Sequence, residues 1–474
     1  MNKTWYIVAT KEFRSHLRNK IVLPLAVILW ILILSALYSG YSHYTEALQT
    51  RQSANELFQK ELEEQRLNPH AAAHFGTYIF KPLTFASLFD SGLNNFTGTY
   101  YRVEAHKQHE VNFANVQDRD ASLRFGELTI ALVFQVLFPL MILFLCFSTI
   151  SKEREDDTLK LLLAQDLKPA QLIWGKIAGN YALIIMIVAP ALLLIMLSHL
   201  AVDNVYSLFP RLLAFTLCYS IYFFVITSLM VCISAVSKDS RSSLLGCIGL
   251  WICYCLLIPR IAAGIADQSY QLPSRYEFNQ NIQRGYFRGL NNDGTYVERA
   301  AKFDTVLLQR LKLDSVKQIP PNLRRGLSLQ NAEDYNTMVY RFYSDPIEAN
   351  IRKQQALQDM FGFLDPTVSI RQLSMAFSGT DFLHHLHFHH QAQDYRNAFI
   401  KTMNLRMANH LPKKGEGAYK EGVEFFRTIK AFEYKLPSYS WVLASHSLAL
   451  IALAFWPLFL IVIIKIVSKR IRIS

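Results

Sequence analysis

Five histidines crowd one short stretch, His384, His385, His387, His389 and His390, and imidazole is a common metal ligand. On a helix, His385 and His389 are i,i+4 neighbours, while His384/His387 and His387/His390 are i,i+3 pairs, so neighbouring rings could share an ion. Imidazole suits Zn, Cu, Ni or Fe, and Asp381 or Asp394 could add oxygen ligands. The alternative is a polar, aromatic-rich helix that holds no metal. Ser, His and Asp also occur in the same long polar segments, but no GxSxG elbow presents a nucleophile, so hydrolase chemistry has no anchor. A GxxxxGK[ST] phosphate loop is missing as well: Gly175-Lys176 lacks the upstream Gly and the following Ser or Thr. The six cysteines, Cys146, Cys218, Cys232, Cys247, Cys253 and Cys255, all lie in apolar runs, where a thiol behaves as a small hydrophobe.

A second stretch carries charge rather than ligands. Ser151 to Gly179 opens with dense charge from Lys152 to Asp157 and continues as a short amphipathic segment, Thr158 to Ala164. It breaks near Pro169 and turns apolar after Gly175-Lys176. Such a segment suits a helix lying along a membrane face and docking on a soluble partner, with charge pairs setting its orientation. The plain alternative is a solvated loop.

The elements that hold these stretches are membrane spans. Only 18% of the chain is charged, against about a quarter in soluble proteins. Six runs are long and apolar enough to cross a bilayer, at 21–42, 127–150, 177–200, 211–236, 243–266 and 441–467. The first is longer than a signal-peptide core and reads as an uncleaved anchor. A formal charge of +12 could signal nucleic-acid binding. Here, however, the basic residues flank spans: Lys11, Arg14, Arg18 and Lys20; Lys152, Arg154 and Lys160; Lys465, Lys469, Arg470 and Arg472. That distribution marks cytoplasmic flanks, and no nucleic-acid partner is expected. Residues 1–20, the loop 151–176 and the tail 468–474 then face the cytoplasm, leaving 43–126 and 267–440 outside as two mostly helical periplasmic domains.

Tyr44 to Leu67 reads as an outward continuation of the first span, stopped at Asn68-Pro69. Val297–Leu313, Pro346–Phe361 and Asp381–Met407 read as helices, with breaks at Gly362–Pro366 and Leu411–Gly417. Within the spans, Gln135, Pro139, Asn180, Tyr181, Pro190 and Pro259 are candidates for an interior path, and Glu127 and Arg260 lie near span ends.

The 151–179 stretch resembles the signature of ABC-2-type transporter permeases. That signature has an acidic segment, a Gly-Thr-Leu or similar step, a Leu-Leu pair, a Pro and a Gly-Lys between the second and third spans. Its counterparts here are Glu153, Arg154, Glu155, Thr158, Leu159, Leu162, Leu163, Pro169, Gly175 and Lys176. Asp157 replaces the usual Gly, and the proline is displaced. The outer segments resemble a bacterial subfamily with two large periplasmic insertions, through Phe80-Lys81-Pro82, Asp90-Ser91-Gly92, Glu104-Ala105-His106, Arg124-Phe125-Gly126-Glu127, Asp365-Pro366, Gly379-Thr380-Asp381, His384-His385, Phe388 and Tyr395-Arg396.

The resemblance implies an all-α membrane protein with six transmembrane helices, an N-terminal interfacial helix over Trp5–Arg18 and a cytoplasmic coupling helix. Glu153, Arg154, Glu155, Thr158, Leu159, Leu162 and Leu163 would couple it to an ABC nucleotide-binding ATPase subunit. ATP and Mg would sit on that partner, with no cofactor in this chain apart from the candidate metal at the His cluster. It further implies a second permease copy or sister permease, membrane lipid around the spans, and an inner-membrane location with both termini cytoplasmic. The expected function is export of an unidentified cargo. The alternative is mechanotransmission, in which ATP-driven motion remodels a periplasmic partner without moving cargo.

Overall fold

Lipid offers no partner for a backbone N–H or C=O, so an apolar run that enters it must satisfy those groups within a helix. The computed structural model, which describes residues 4–64, 68–82, 84–98, 100–108, 128–198, 205–410 and 419–471, contains six helices meeting that requirement by length and composition. They are span 1 (Val22–Phe58), span 2 (Ile130–Glu155), span 3 (Pro169–Leu194), span 4 (Phe209–Val236), span 5 (Ser240–Ser269) and span 6 (Ser447–Arg470). The Arg124–Glu127 motif and the expected break at 411–417 lie outside the described residues. The protein is an all-α membrane protein; among the described residues, the strands are β1 (Thr77–Phe80) and β2 (Tyr100–Val103), an antiparallel pair.

Span 4 is central, packing on spans 2, 3 and 6. Spans 1 and 5 are outermost: only 22% and 11% of their apolar windows are buried, which leaves leucines such as Leu23 and Leu245 facing outward. An N-terminal helix, α1 (Thr4–Arg18), lies against span 3. Two prolines shape the interior. Each follows a π-helical turn, Val133–Leu137 before Pro139 and Cys253–Leu257 before Pro259. Proline has no N–H, so the carbonyl four residues back loses its helical donor. Side chains replace it: Tyr222 donates to Gln135 O at 3.1 Å, and Arg371 donates to Cys255 O at 3.1 Å.

Span 1 does not stop at the bundle. Its helix runs unbroken from Val22 to Glu64, 43 residues, into the domain built from the long segments. There Asn68 caps α2 (Pro69–Phe75) by accepting from His70 N. Between spans 2 and 3 lies a short linker helix, α3 (Thr158–Ala164). Beyond span 5 come α4 (Arg275–Arg288), α5 (Tyr296–Leu311), α6 (Pro321–Met360), α7 (Pro366–Ser378) and α8 (Phe382–Ala408). Ser274/Glu277 and Thr295/Glu298 form capping boxes that start α4 and α5.

Helix α6 passes through Pro346, where the sequence pattern placed a helix start. Packing along α8 and the end of span 5 holds it together despite the missing hydrogen bond. Helix α7 packs between spans 4 and 6, and its Ile370, Leu373, Ala376 and Phe377 join the same core as the spans. Ser369, Arg371, Gln372 and Ser374 interrupt its apolar pattern, so hydropathy gives no sign that it enters the bundle.

Candidate functional site

Gly175 and Gly179 stand one turn apart on span 3, directly under α1. A β-carbon at 175 would come within 2.6 Å of Val8 Cβ and 2.7 Å of Trp5 O, and one at 179 within 2.6 Å of Ala9 O. Glycine permits this approach as a small-xxx-small pair does between membrane helices. It carries Glu12 of α1 to Lys176. The Lys176 Nζ lies 2.7 Å from Glu12 Oε2 and 2.8 Å from Glu153 Oε1, so one ammonium holds α1, the end of span 2 and the start of span 3. Asn180, one turn further, donates to Glu12 Oε1 at 3.4 Å. Burial pushes the Glu12 carboxyl up, but the His16 ring 3.6 Å away and the charge and hydrogen bond of Lys176 prevail and hold it down at about 2.

The rest of the linker is tied to the same end. Arg154 donates to the carbonyls of Ser237 and Ala235 at the end of span 4. Glu155 accepts from Ser240 N at 2.9 Å and Ser240 Oγ at 2.7 Å, where span 5 begins. Thr158 Oγ1 donates to Glu153 Oε2 at 2.8 Å. Asp157 has φ +55, the left-handed region where glycine is easiest and Asp is among the few tolerated replacements. Asp157 can thus hold this turn at the position where the resembled signature has Gly. On α3, Leu159 is buried and Leu162 and Leu163 are half-buried against the core, while Lys160 and Leu161 face outward, Leu161 at 64% exposure.

The seven residues named from the sequence thus come together, though mostly as anchors of the linker rather than as its outer surface. Glu12, Lys160 and Leu161 escaped that reading. The signals were there: a lone acid between Lys11 and Arg14, and a helical repeat that turns 160 and 161 away from 159, 162 and 163.

At the opposite end, several of the short outer motifs meet. Asp381 is 1% exposed, with His384 Nδ1 2.9 Å from its Oδ1 and His446 Nε2 2.8 Å from its Oδ2. Burial pushes its carboxyl up, and the charges of His384 and His446, with the hydrogen bond from His384, hold it far below the usual range. Arg211 of span 4 reaches the carbonyl of Pro437 and lies 3.5 Å from His384 Nε2. Asp90-Ser91-Gly92 docks on Gly379-Thr380-Asp381 through Leu93 N–H to Thr380 O at 2.9 Å, and Gly92, at φ +48, has no room for a β-carbon beside Thr380. Lys81 donates to Asn94 Oδ1 at 2.7 Å, and burial brings its ammonium down to about 8 against the opposing charge of Asp381. From Asp90 a relay enters the bundle: Ser374 donates to Asp90 at 2.5 Å, Tyr219 to Ser374 at 3.0 Å, and Gln135 to Tyr219 at 2.8 Å.

The five clustered histidines lie on α8 and take different partners. His384 faces Asp381, His387 meets Tyr434, and His390 lies 3.0 Å from Glu348. His385 and His389 stack with ring centroids 6.4 Å apart, and burial holds His385 well below the usual range and His389 down to about 4. Among the described residues, the group of three metal-ligating side chains drawn within reach of one ion lies elsewhere, at His70, His74 and His106.

The family model described as "ABC-2 family transporter protein" matches residues 6–463, from α1 almost to the end of span 6. No curated protein matches the chain.

Proposed function

The chain belongs to the ABC-2 transporter family, and from that premise we propose that it is the six-span permease subunit of an ATP-driven exporter in the inner membrane. Family membership supports a permease subunit that pairs with an ABC ATPase. The finer reading assigns the contact to α3. The observation that carries it is the division of that short helix: Leu159, Leu162 and Leu163 are turned to the bundle, Lys160 and Leu161 away from it. A surface leucine beside a lysine, on a helix braced by Arg154, Glu155 and the Lys176 pair, is a rigid ledge against which a closing ATPase can push. ATP and Mg belong to that partner in this reading. Both termini and α3 face the cytoplasm, and the domain faces the periplasm. A second permease chain, identical or sister, covers the outward faces of spans 1 and 5 together with lipid.

One observation favours the mechanical alternative. The helix from Val22 to Glu64 is continuous from span into domain, so a tilt of span 1 moves the domain as a lever would. The two readings share the ATPase contact and differ in what the motion does.

The test is co-purification in mild detergent with the cognate ATPase, followed by ATPase assays in proteoliposomes. A stoichiometric complex whose hydrolysis depends on the chain is expected. Recovery of the folded chain without ATPase, under several detergents, would overturn the permease reading. Hydrolysis stimulated by cargo points to export, whereas strict dependence on a periplasmic binding partner points to mechanotransmission.

A further inference from the structure

Three imidazoles converge on the domain, far in sequence from the histidine-rich helix. His70 and His74 are i,i+4 neighbours on α2, and His106 follows β2 in a tight turn. His70 Nε2 lies 3.1 Å from His74 Nε2 and 3.3 Å from His106 Nε2, and all three ligand atoms lie within 4.8 Å of one another. Two imidazoles bound to zinc at about 2.0–2.1 Å and a tetrahedral angle have their nitrogens roughly 3.3–3.4 Å apart. The spacing from His70 to each of the other two is close to that.

The other ring nitrogens say which tautomers are present. His106 Nδ1 lies 2.8 Å from Glu333 Oε1, and Glu333 is ion-paired with Arg396 at 2.6 Å, so its carboxylate can only accept. His106 Nδ1 therefore carries the proton. His70 Nδ1 lies 2.9 Å from Asn404 Oδ1, and the Asn404 amide is fixed by donating from Nδ2 to Gln330 Oε1 at 3.1 Å. His70 Nδ1 is the donor there too. In their neutral forms, both Nε2 atoms then present lone pairs, pointed at each other across 3.3 Å. A proton on one ring, an N–H from His74 Nε2 at 3.1 Å from His70 Nε2, or a metal ion shared by all three answers these lone pairs.

The frame around the trio is built to hold these orientations. His106 sits at φ +63, a left-handed conformation uncommon outside glycine. Its N–H donates to Glu333 Oε1 at 2.6 Å, and its carbonyl accepts from Asn336 Nδ2 at 3.1 Å. Arg396, fully buried, holds the same turn through the carbonyls of Glu104 at 3.1 Å and Lys107 at 3.0 Å. Gly76, at φ +73, has no room for a β-carbon beside Val103 O, and this lets the end of α2 close on the strand that leads to His106. An imidazole backed by a carboxylate or an amide oxygen is the usual outer shell of a metal site, because it fixes the tautomer and raises ligand basicity.

We propose that His70, His74 and His106 form a three-histidine site for a borderline divalent transition metal, Zn²⁺ or Cu²⁺, through their Nε2 atoms. Neutral nitrogen donors without carboxylate or water-like oxygen disfavour Ca²⁺ and Mg²⁺. His70 is buried, whereas His74 and His106 are exposed, so the ion faces solvent on one side and a fourth position is open to water or another ligand. The ion would pin α2 to the turn after β2, reinforcing the direct contact in which Ala105 N–H donates to Ala73 O at 3.0 Å.

The test uses the full-length chain in detergent, stripped with chelator and titrated separately with ZnSO₄ and CuSO₄. Calorimetry and elemental analysis read the stoichiometry, and thermal unfolding reads the effect on the fold. One equivalent of Zn²⁺ or Cu²⁺ is expected, raising the unfolding temperature. His74→Gln, an exposed position, abolishes the equivalent and the thermal shift while leaving the metal-free unfolding temperature unchanged. Glu333→Gln weakens binding by about 10–100-fold without removing a ligand. His387→Gln/His390→Gln on α8 leaves binding intact. The proposal is overturned if the wild type takes up neither ion, if His74→Gln binds as the wild type does, or if binding is lost with the α8 variant instead.

Discussion

At the linker end of the bundle, a single cation, Lys176, sits between two carboxylates from different elements. At the domain end, a single anion, Asp381, sits among His384, His446 and, next to His384, Arg211. Both nodes close the ends of spans, and both are buried, yet their settings differ. Lys176 draws together short pieces: a 15-residue helix, the last turn of span 2 and the first turns of span 3, with the exposed face of α3 beside them. Asp381 caps the 27-residue helix α8, and its surroundings run without a break into the domain and, through Ser374 and Tyr219, into the bundle. The first arrangement can let go of one element while the rest stands. The second has no part that can leave alone.

The largest effect is expected where nothing can leave. Asp381→Ala strands His384, His446 and Arg211 in a site the solvent does not reach. Removing one partner of a buried charge cluster costs ~3–5 kcal/mol. Thermal unfolding in detergent should show one transition, moved to much lower temperature for bundle and domain together. If the domain melts by itself and the spans keep the wild-type transition, the two are not welded at this node.

Next comes Lys176→Met, which leaves Glu12 and Glu153 facing one another without a counter-charge. A cost of ~3 kcal/mol is expected, at the lower edge for buried pairs because Glu153 keeps 16% side-chain exposure. The loss should be local. Hydrogen exchange should rise in α1 and α3 and stay slow in α8 and span 4. Uniform acceleration across the chain would erase the contrast between the two nodes.

Glu12 offers a milder way to loosen the same node. Its folded carboxyl titrates at about 2 against an ordinary 4.5, so its stabilising contribution is complete above pH 4.5 and is lost as pH falls toward 2. At pH 3.5 roughly 1 kcal/mol has gone, because the detached helix takes up a proton that the docked one excludes. An environment-sensitive label on Lys11→Cys should report α1 loosening between pH 4.5 and 2. In Glu12→Gln the label should start loose and lose this step. A step that persists unchanged in Glu12→Gln would assign the transition to another group.

How far these nodes could be foreseen follows from the kind of signal each leaves. The six spans were legible because hydropathy sums over some 20 residues. Gly175-Lys176 was legible as a motif, and the structure gives its reason: the glycine admits α1 and the lysine pairs with it. The partner, Glu12, lies 164 residues away, and one sequence cannot state such a pairing. Helix α7 was hidden because it buries polar residues, Thr367, Ser369, Ser374 and Ser378, beside its apolar ones, and these dilute its average. The histidines teach the opposite lesson. Density marks α8, where His384, His387 and His390 turn to Asp381, Tyr434 and Glu348, while His385 and His389, one turn apart, stack on each other. His70 and His74, one turn apart and joined by a third ring from another element, can converge.

The smallest change in stability is expected from Leu161→Asp, and it bears most directly on why the linker end is built to be separable. Leu161 is 64% exposed and points away from the core that Leu159 enters, so the substitution should shift unfolding by less than ~0.5 kcal/mol, as surface changes do. If α3 is the ledge against which an ATPase closes, a carboxylate at this point places an unpaired charge in the contact, and such charges strongly oppose association. The variant should then purify like the wild type, keep its unfolding temperature, and fail to retain the ATPase or to stimulate its hydrolysis. Lys160→Ala, one residue away on the same face, should weaken the complex less and mainly at low salt, because a rim charge acts on encounter more than on residence. A Leu161→Asp chain that still binds and drives the ATPase would mean that the contact lies off this face, on α1 or on the short turn between spans 4 and 5, which carries Lys238 with Arg241 just beyond it. The separable end would then belong to the fold rather than to coupling.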